Sequence, residues 1–217
     1  MIHIFVINID DHRWEKYSKD SRYTRFIGVN GNKELDPTWV DDNYHFYWNA
    51  NRKLRMSIAG CSESHLKVLK HIRDNKLDNC VILEDDCVFD FSRIDELKNL
   101  KDFTYIGGAF RSPILKNKKN FLRPEVAQGL NKINPKEFII TNLNAYYIPD
   151  HSQVDLFIQH NYLKRRAIDC EMVFHQKKGI ITDFIYPALG KLYLPDANQG
   201  FTWSSPNYKL ESDLEFY

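Results

Sequence analysis

No pair among the four cysteines, Cys61, Cys80, Cys87 and Cys170, has the CxxC spacing. Their positions therefore exclude a zinc ribbon and a thioredoxin-type site, and free buried thiols in a reducing compartment are the expectation. No apolar run approaches the roughly 18 residues of a membrane span. The opening stretch Met1-Ile2-His3-Ile4-Phe5-Val6-Ile7 is too short for a secretory signal, and no basic residues precede it. No transmembrane segment is expected, and a cytoplasmic location is. Net charge is nearly absent: 30 Lys and Arg against 29 Asp and Glu leave +1, so no global field favours polyanions and no nucleic-acid partner is expected. Internal repeats and low-complexity tracts are missing, and 217 residues with 43% hydrophobic content suit a single domain over residues 1–217.

The chain instead shows alternation. Ile2–Ile7 reads as a buried strand, followed by a turn at Asn8–Asp11 and a short charged helix from Arg13 to Lys19. Arg25–Val29 reads as a second strand. Residues 31–56 are rich in Asn, Asp, Trp and Tyr without a clear period and read as a long loop, with one helical turn near Tyr44–Trp48. Ser57 is placed to cap a helix over Ile58–Asn75, and Cys80–Leu83 is the next buried strand. A helix from Ser92 to Leu100 and a strand at Phe103–Ile106 follow. Residues 109–136 read as a second long loop. Phe138–Thr141 and Ala145–Ile148 read as a strand pair, Ser152–Tyr162 and Ile168–Lys177 as helices, and Ile180–Ile185 as a late strand. The tail over 187–217 is loop-rich. This order predicts an α/β three-layer sandwich (helices, sheet, helices) with a mainly parallel central sheet.

The sharpest chemical feature is Glu84-Asp85-Asp86 at the end of Val81-Ile82-Leu83. Strand alternation puts Glu84 and Asp86 on one face and Asp85 on the other. Adjacent carboxylates repel, more so when buried, and a divalent cation removes that penalty. Oxygen ligands suit Mn²⁺ or Mg²⁺ rather than zinc, and two protein carboxylates would leave open positions for diphosphate oxygens. The alternative is a solvated turn whose acids cap the next helix.

Several segments together resemble glycosyltransferase family 25. Val6-Ile7-Asn8-Ile9-Asp10 with Arg13 is similar to its first strand and turn, and Phe26-Ile27-Gly28-Val29-Asn30-Gly31 to its AxxG segment. Gly60-Cys61-Ser62-Glu63-Ser64-His65 matches its GCxxSH motif, and Leu83-Glu84-Asp85-Asp86 its LEDD motif. The later Tyr105-Ile106-Gly107, Ala145–Ile148 and Ile168-Asp169 keep the family order. The pair of motifs about twenty residues apart is the specific part. The resemblance implies a GT-A-type fold and transfer with inversion from a UDP-sugar, galactose by default, to a hydroxyl of an oligosaccharide or glycoconjugate. It also implies Mn²⁺ at Asp86, with Glu84 or Asp85 near the ribose or the metal. Asn8, Arg13 and His65 are expected to join Glu84 and Asp85 at the donor. Asp169, then Glu171, is the candidate base for the acceptor hydroxyl; the alternative for both is a helix-terminal acid favoured by the dipole. The family's late Ser-Asp-Ile stands here as Trp203-Ser204-Ser205-Pro206.

Other residues keep two readings. His65 satisfies core polar groups or serves the donor site. Cys61 is read as small core packing. Arg13 pairs with uracil or diphosphate, or is an ordinary surface arginine. Trp39, Tyr44, Phe46, Tyr47 and Trp48 stack on sugars or form the underside of a folded loop. Lys116, Lys118, Lys119 and Arg123 contact an anionic group or are a solvated loop. Against the transferase stand a silent sugar-nucleotide or glycan-binding module and a metal-dependent phosphoesterase. The latter needs a second set of converging ligands, and His151, His160 and His175 show no such spacing.

Overall fold

The computed structural model describes residues 1–46, 50–111, 126–158 and 165–192. Its elements are β1 His3–Asn8, α1 Asp11–Ser18, β2 Tyr23–Ile27, α2 Gly31–Glu34, α3 Pro37–Asn43, α4 Arg52–Asp74, β3 Cys80–Glu84, β4 Cys87–Phe89, β5 Thr104–Tyr105, β6 Ala109–Arg111, β7 Gly129–Lys132, β8 Ile139–Thr141, β9 Ala145–Ile148, α5 Asp155–Ile158, α6 Ile168–Lys177, β10 Asp183–Tyr186 and β11 Gly190–Leu192. Short 3₁₀ helices occupy Phe91–Asn99 and His151–Val154.

Seven strands form the central sheet in the order β2-β1-β3-β9-β5-β10-β7. The pairs β2–β1, β1–β3 and β5–β10 are parallel, and β9 and β7 are the two strands that run against the rest. The sheet is therefore mainly parallel, as expected. Helices cover both faces. Phe5, Ile82 and Tyr146 pack under α4, α5 and α6 through Val68, Leu69, Phe157 and Met172. Val6, Val81, Leu83 and Tyr147 pack on the opposite face with Tyr17 of α1 and Leu97. The strict in-and-out alternation of β3 is what lets one five-residue strand supply two cores.

From β1 the chain goes to β2 on one side and then to β3 on the other. The carboxyl ends of β1 and β3 thus flank a switch point, the crevice where open α/β sheets bind ligands. Ile7 is in register with Glu84, so Asn8 and Asp85 emerge together beyond the ladder.

Several expectations are corrected. Residues 31–56 are not a long loop: α2, α3 and the first turn of α4 lie there. α4 begins at Arg52 because Asn51 accepts from Leu54 N at 3.1 Å, while Ser57 sits inside the helix and donates to Lys53 O. Polar Arg52 and Lys53 hid that turn from periodicity. Residues 109–136 carry β6 and β7 at their two ends, and residues 112–125, with the lysine run, lie outside the described residues. The tail holds β11 at Gly190–Leu192; residues 193–217, including Trp203–Pro206, lie outside. β8 and β9 do not pair with each other; β8 joins β6, and β9 enters the central sheet between β3 and β5. The helix expected over Ser92–Leu100 is 3₁₀. The one expected over Ser152–Tyr162 is a 3₁₀ turn and α5, with residues 159–162 outside the described residues. Among the described residues no helix is long and apolar enough to cross a membrane.

Candidate active site

The N-terminal half of α4 organises the crevice. Gly60 lies against Gly31: a Cβ built on Gly60 falls 2.5 Å from Gly31 N, and one on Gly31 falls 1.8 Å from Met56 O. Only two glycines let α2 approach α4 this closely. Each of the next five residues then reaches into the site, Cys61 and His65 both meeting Glu84. Cys61 Sγ lies 3.6 Å from Glu84 Oε1. Ser62 Oγ accepts the Ile168 N–H at 2.9 Å, capping α6, whose own N-cap, Ala167, has no side chain to do so. Glu63 accepts from Tyr44 Oη at 2.6 Å and from Arg165, which ties the segment after α3 to the approach of α6. Ser64 Oγ accepts from Val29 N at 2.7 Å. His65, on the same helix face as Cys61, spans from Tyr146 Oη (2.9 Å, Nδ1) to Glu84 Oε1 (3.0 Å, Nε2).

His65 is 1% exposed, and this desolvation lowers its pKa to about 4, with Asp169 opposing the shift. The ring is therefore neutral at neutral pH. The hydrogen-bond set closes when Nε2–H donates to Glu84 and Nδ1 accepts the Tyr146 hydroxyl.

The three carboxylates turn to different neighbours. Glu84 faces α4. Asp85 faces β1 and α1, accepting from Asn8 Nδ2 at 2.8 Å and from Arg13 Nη1 at 2.9 Å, one donor to each oxygen. Asp86 lies in the turn between β3 and β4. Its Oδ1 is buried, with no hydrogen-bond partner among the described residues. Asp85 thus turns to the face opposite Glu84, as alternation expects, while Asp86 follows in the turn beyond the strand, where alternation does not govern it. Burial is the largest cause that raises Glu84, with Asp85 adding to it, and Glu84 sits at about 7 despite the Cys61 hydrogen bond and Arg13. Asp86 is raised to about 7 by burial and then by Glu84 and Asp85. An orphaned carboxylate oxygen crowded by two like charges is a donor set that a hard divalent cation fits. Tyr17 braces the turn from below by donating to Cys87 O.

At the start of α6, Asp169 accepts from Leu143 N at 2.8 Å. Burial and the Glu84 charge raise it to about 6, while the Leu143 bond, His65 and Arg111 oppose the rise. Asp169 thus shares the field of Glu84 and His65. Glu171, on the same helix, lies 3.7 Å from His175 Nε2, and His175 packs edge-on to Phe157 of α5.

Of the residues expected at the site, Asn8, Arg13, His65, Glu84, Asp85, Asp86 and Asp169 converge, and Glu171 lies beside His175 on α6. Cys61 is exposed and faces Glu84, so the expectation of core packing is corrected. Tyr44 is buried and packs with Trp39, Phe46, Val40 and Met56, the underside of a folded segment; Tyr47 and Trp48 lie outside the described residues. His151 joins Asp78, away from the crevice, and His160 is outside the described residues. Sequence reasoning missed Ser62, Glu63, Tyr146 and Arg165, whose partners are up to 106 residues away. The one available signal was the i, i+4 spacing of Cys61 and His65.

A search among curated proteins returns no match. A family model described as glycosyltransferase family 25 (LPS biosynthesis protein) matches residues 1–172. That span runs from β1 through the start of α6 and holds each converging residue from Asn8 to Asp169, and the chain belongs to this glycosyltransferase family.

Proposed function

We propose that the chain transfers a sugar, with inversion, from a UDP-sugar to a hydroxyl of a glycan or glycoconjugate, in a metal-dependent reaction of the GT-A type. Galactose is the default sugar, and a lipid-linked oligosaccharide is the acceptor class that the family description favours. The observation that carries the reading is the buried Asp86 Oδ1, which has no hydrogen-bond partner among the described residues, beside Glu84 and Asp85 at the switch point of the sheet.

Asp86 is the residue proposed to hold the cation, with Glu84 beside it. When bound, a divalent ion such as Mn²⁺ or Mg²⁺ supplies positive charge for the departing diphosphate. Arg13 and Asn8 fix Asp85 through both of its oxygens, which aims that carboxylate and leaves the rest of the Arg13 guanidinium toward solvent. Asp169, with a pKa of about 6, is ionised at neutral pH and close enough to it to accept the hydroxyl proton as the new bond forms. His65 stays neutral and holds Glu84 in place.

The test is nucleotide release from a panel of sugar nucleotides, with Mn²⁺ or a chelator, with and without oligosaccharide acceptors. Metal-dependent release from one donor supports the reading. Donor binding without turnover for any acceptor would favour the silent binding module, and cleavage of simple phosphate esters would favour the phosphoesterase.

A further inference from the structure

Glu84 makes a second cluster whose chemistry differs from that of Asp86. Cys61 Sγ, His65 Nε2 and a Glu84 oxygen lie within 4.8 Å of one another. Two edges of the cluster are 3.6 Å, from sulfur to Oε1, and 3.0 Å, from Nε2 to the same oxygen. Tetrahedral zinc, with bonds of about 2.3 Å to sulfur and about 2.0 Å to nitrogen or oxygen, needs edges of about 3.3–3.5 Å. Small side-chain shifts would meet that geometry. We propose that Cys61, His65 and Glu84 form a binding site for Zn²⁺, a borderline-soft ion, with the fourth position open.

Three features support it. One sulfur, one imidazole nitrogen and one carboxylate oxygen match the ligand preference of zinc and not that of Mg²⁺ or Mn²⁺. Cys61 and His65 stand one helical turn apart on a rigid 23-residue helix, so two ligands are positioned by backbone alone. Tyr146 Oη holds His65 Nδ1 at 2.9 Å and is itself fully buried against Phe103, which fixes the ring in the way that outer partners of zinc-bound histidines do. On binding, the Cys61 thiol proton leaves to solvent. The imidazole proton passes through solvent exchange from Nε2 to Nδ1, where Tyr146 accepts it, and Nε2 donates its lone pair to the metal. The other mixed group, Asp78, Asp150 and His151, lacks these features: both its acids are exposed, and Asp78 already takes the backbone N–H and the ring Nδ1–H of His151.

The inference goes beyond sugar transfer, and its test needs none. The full chain is titrated with Co²⁺ and watched for the thiolate-to-cobalt charge-transfer band, with Zn²⁺ as competitor. The expected result is a band at one equivalent that Zn²⁺ displaces. It is lost in Cys61→Ser and kept in Cys170→Ser and Asp86→Asn. Tyr146→Phe weakens cobalt binding about ten- to a hundred-fold. No band in the wild type, or a band that persists in Cys61→Ser, would overturn the proposal. Because a variant can fail to fold, the wild type is also alkylated with and without Zn²⁺ and its peptides mapped: protection of Cys61 supports the site, and unchanged labelling overturns it.

Discussion

Replacing Asp86 by Asn in the metal-free protein is expected to stabilise it at neutral pH. Asp86 holds its proton up to about pH 7 in the folded chain, against an ordinary value of 3.8. The stabilisation that comes from this tighter proton is complete below about pH 4 and is lost as pH rises through about 7. Above that, the folded state carries a carboxylate that burial and its neighbours disfavour. Three decades of proton affinity at about 1.4 kcal/mol each set a ceiling of about 4 kcal/mol. Solvent reaching the partly buried side chain reduces the expectation to about 2 kcal/mol. Asn keeps the shape and carries no charge. Urea denaturation in chelator, at intervals from pH 4 to pH 8, is the assay. The variant and wild type should coincide near pH 4, diverge up to about pH 7 and run parallel beyond it, the variant being the more stable. A pH-independent difference, or a wild type that stays more stable at pH 8, would show that Asp86 is not a destabilised carboxylate and would remove the physical reason for placing a cation there.

Asp169→Asn should lower turnover by about 10²–10⁴-fold with little change in donor affinity. In the wild type, the acidic limb of the turnover profile should fall near pH 6; Glu171→Gln should keep that limb. Ser62→Ala removes the cap that α4 lends to α6 and should cost about 1 kcal/mol in urea unfolding, without a change in slope. Gly60→Ala places a methyl group 2.5 Å from Gly31 N, between two backbones that have no rotamer to change, and should cost about 1–3 kcal/mol or prevent folding.

The reach of the sequence can be judged residue by residue. Val81–Leu83 announced a central strand because a run buried on both faces has no polar side to hide. The acids after it were legible because three charges at the end of such a run need a compensating partner. The order of alternating elements implied the layered sheet. The pairing of β8 and the insertion of β9 were illegible, since nothing local in Ile139–Thr141 or Ala145–Ile148 specifies a partner strand. The start of α4 was hidden by its polar first turn. At the site, Asn8, Arg13, His65 and Asp169 were reached through their position in a motif, while Ser62, Glu63, Tyr146 and Arg165 act through contacts that exist only once α4, α6 and β9 have met. Alternation placed Asp85 opposite Glu84, and the two do turn to opposite faces, toward α1 and toward α4; Asp86 lies beyond the ladder, in the turn, where alternation no longer applies.

The claim that Asp86 serves a nucleotide diphosphate through a bound cation can be put to calorimetry of UDP binding, with Mn²⁺ and with chelator, in wild type and in Asp86→Asn. UDP should bind the wild type only with Mn²⁺ and should bind the variant at least tenfold more weakly, a loss of about 1.4 kcal/mol or more. UDP binding of equal strength with and without Mn²⁺, or unchanged in the variant, would contradict it.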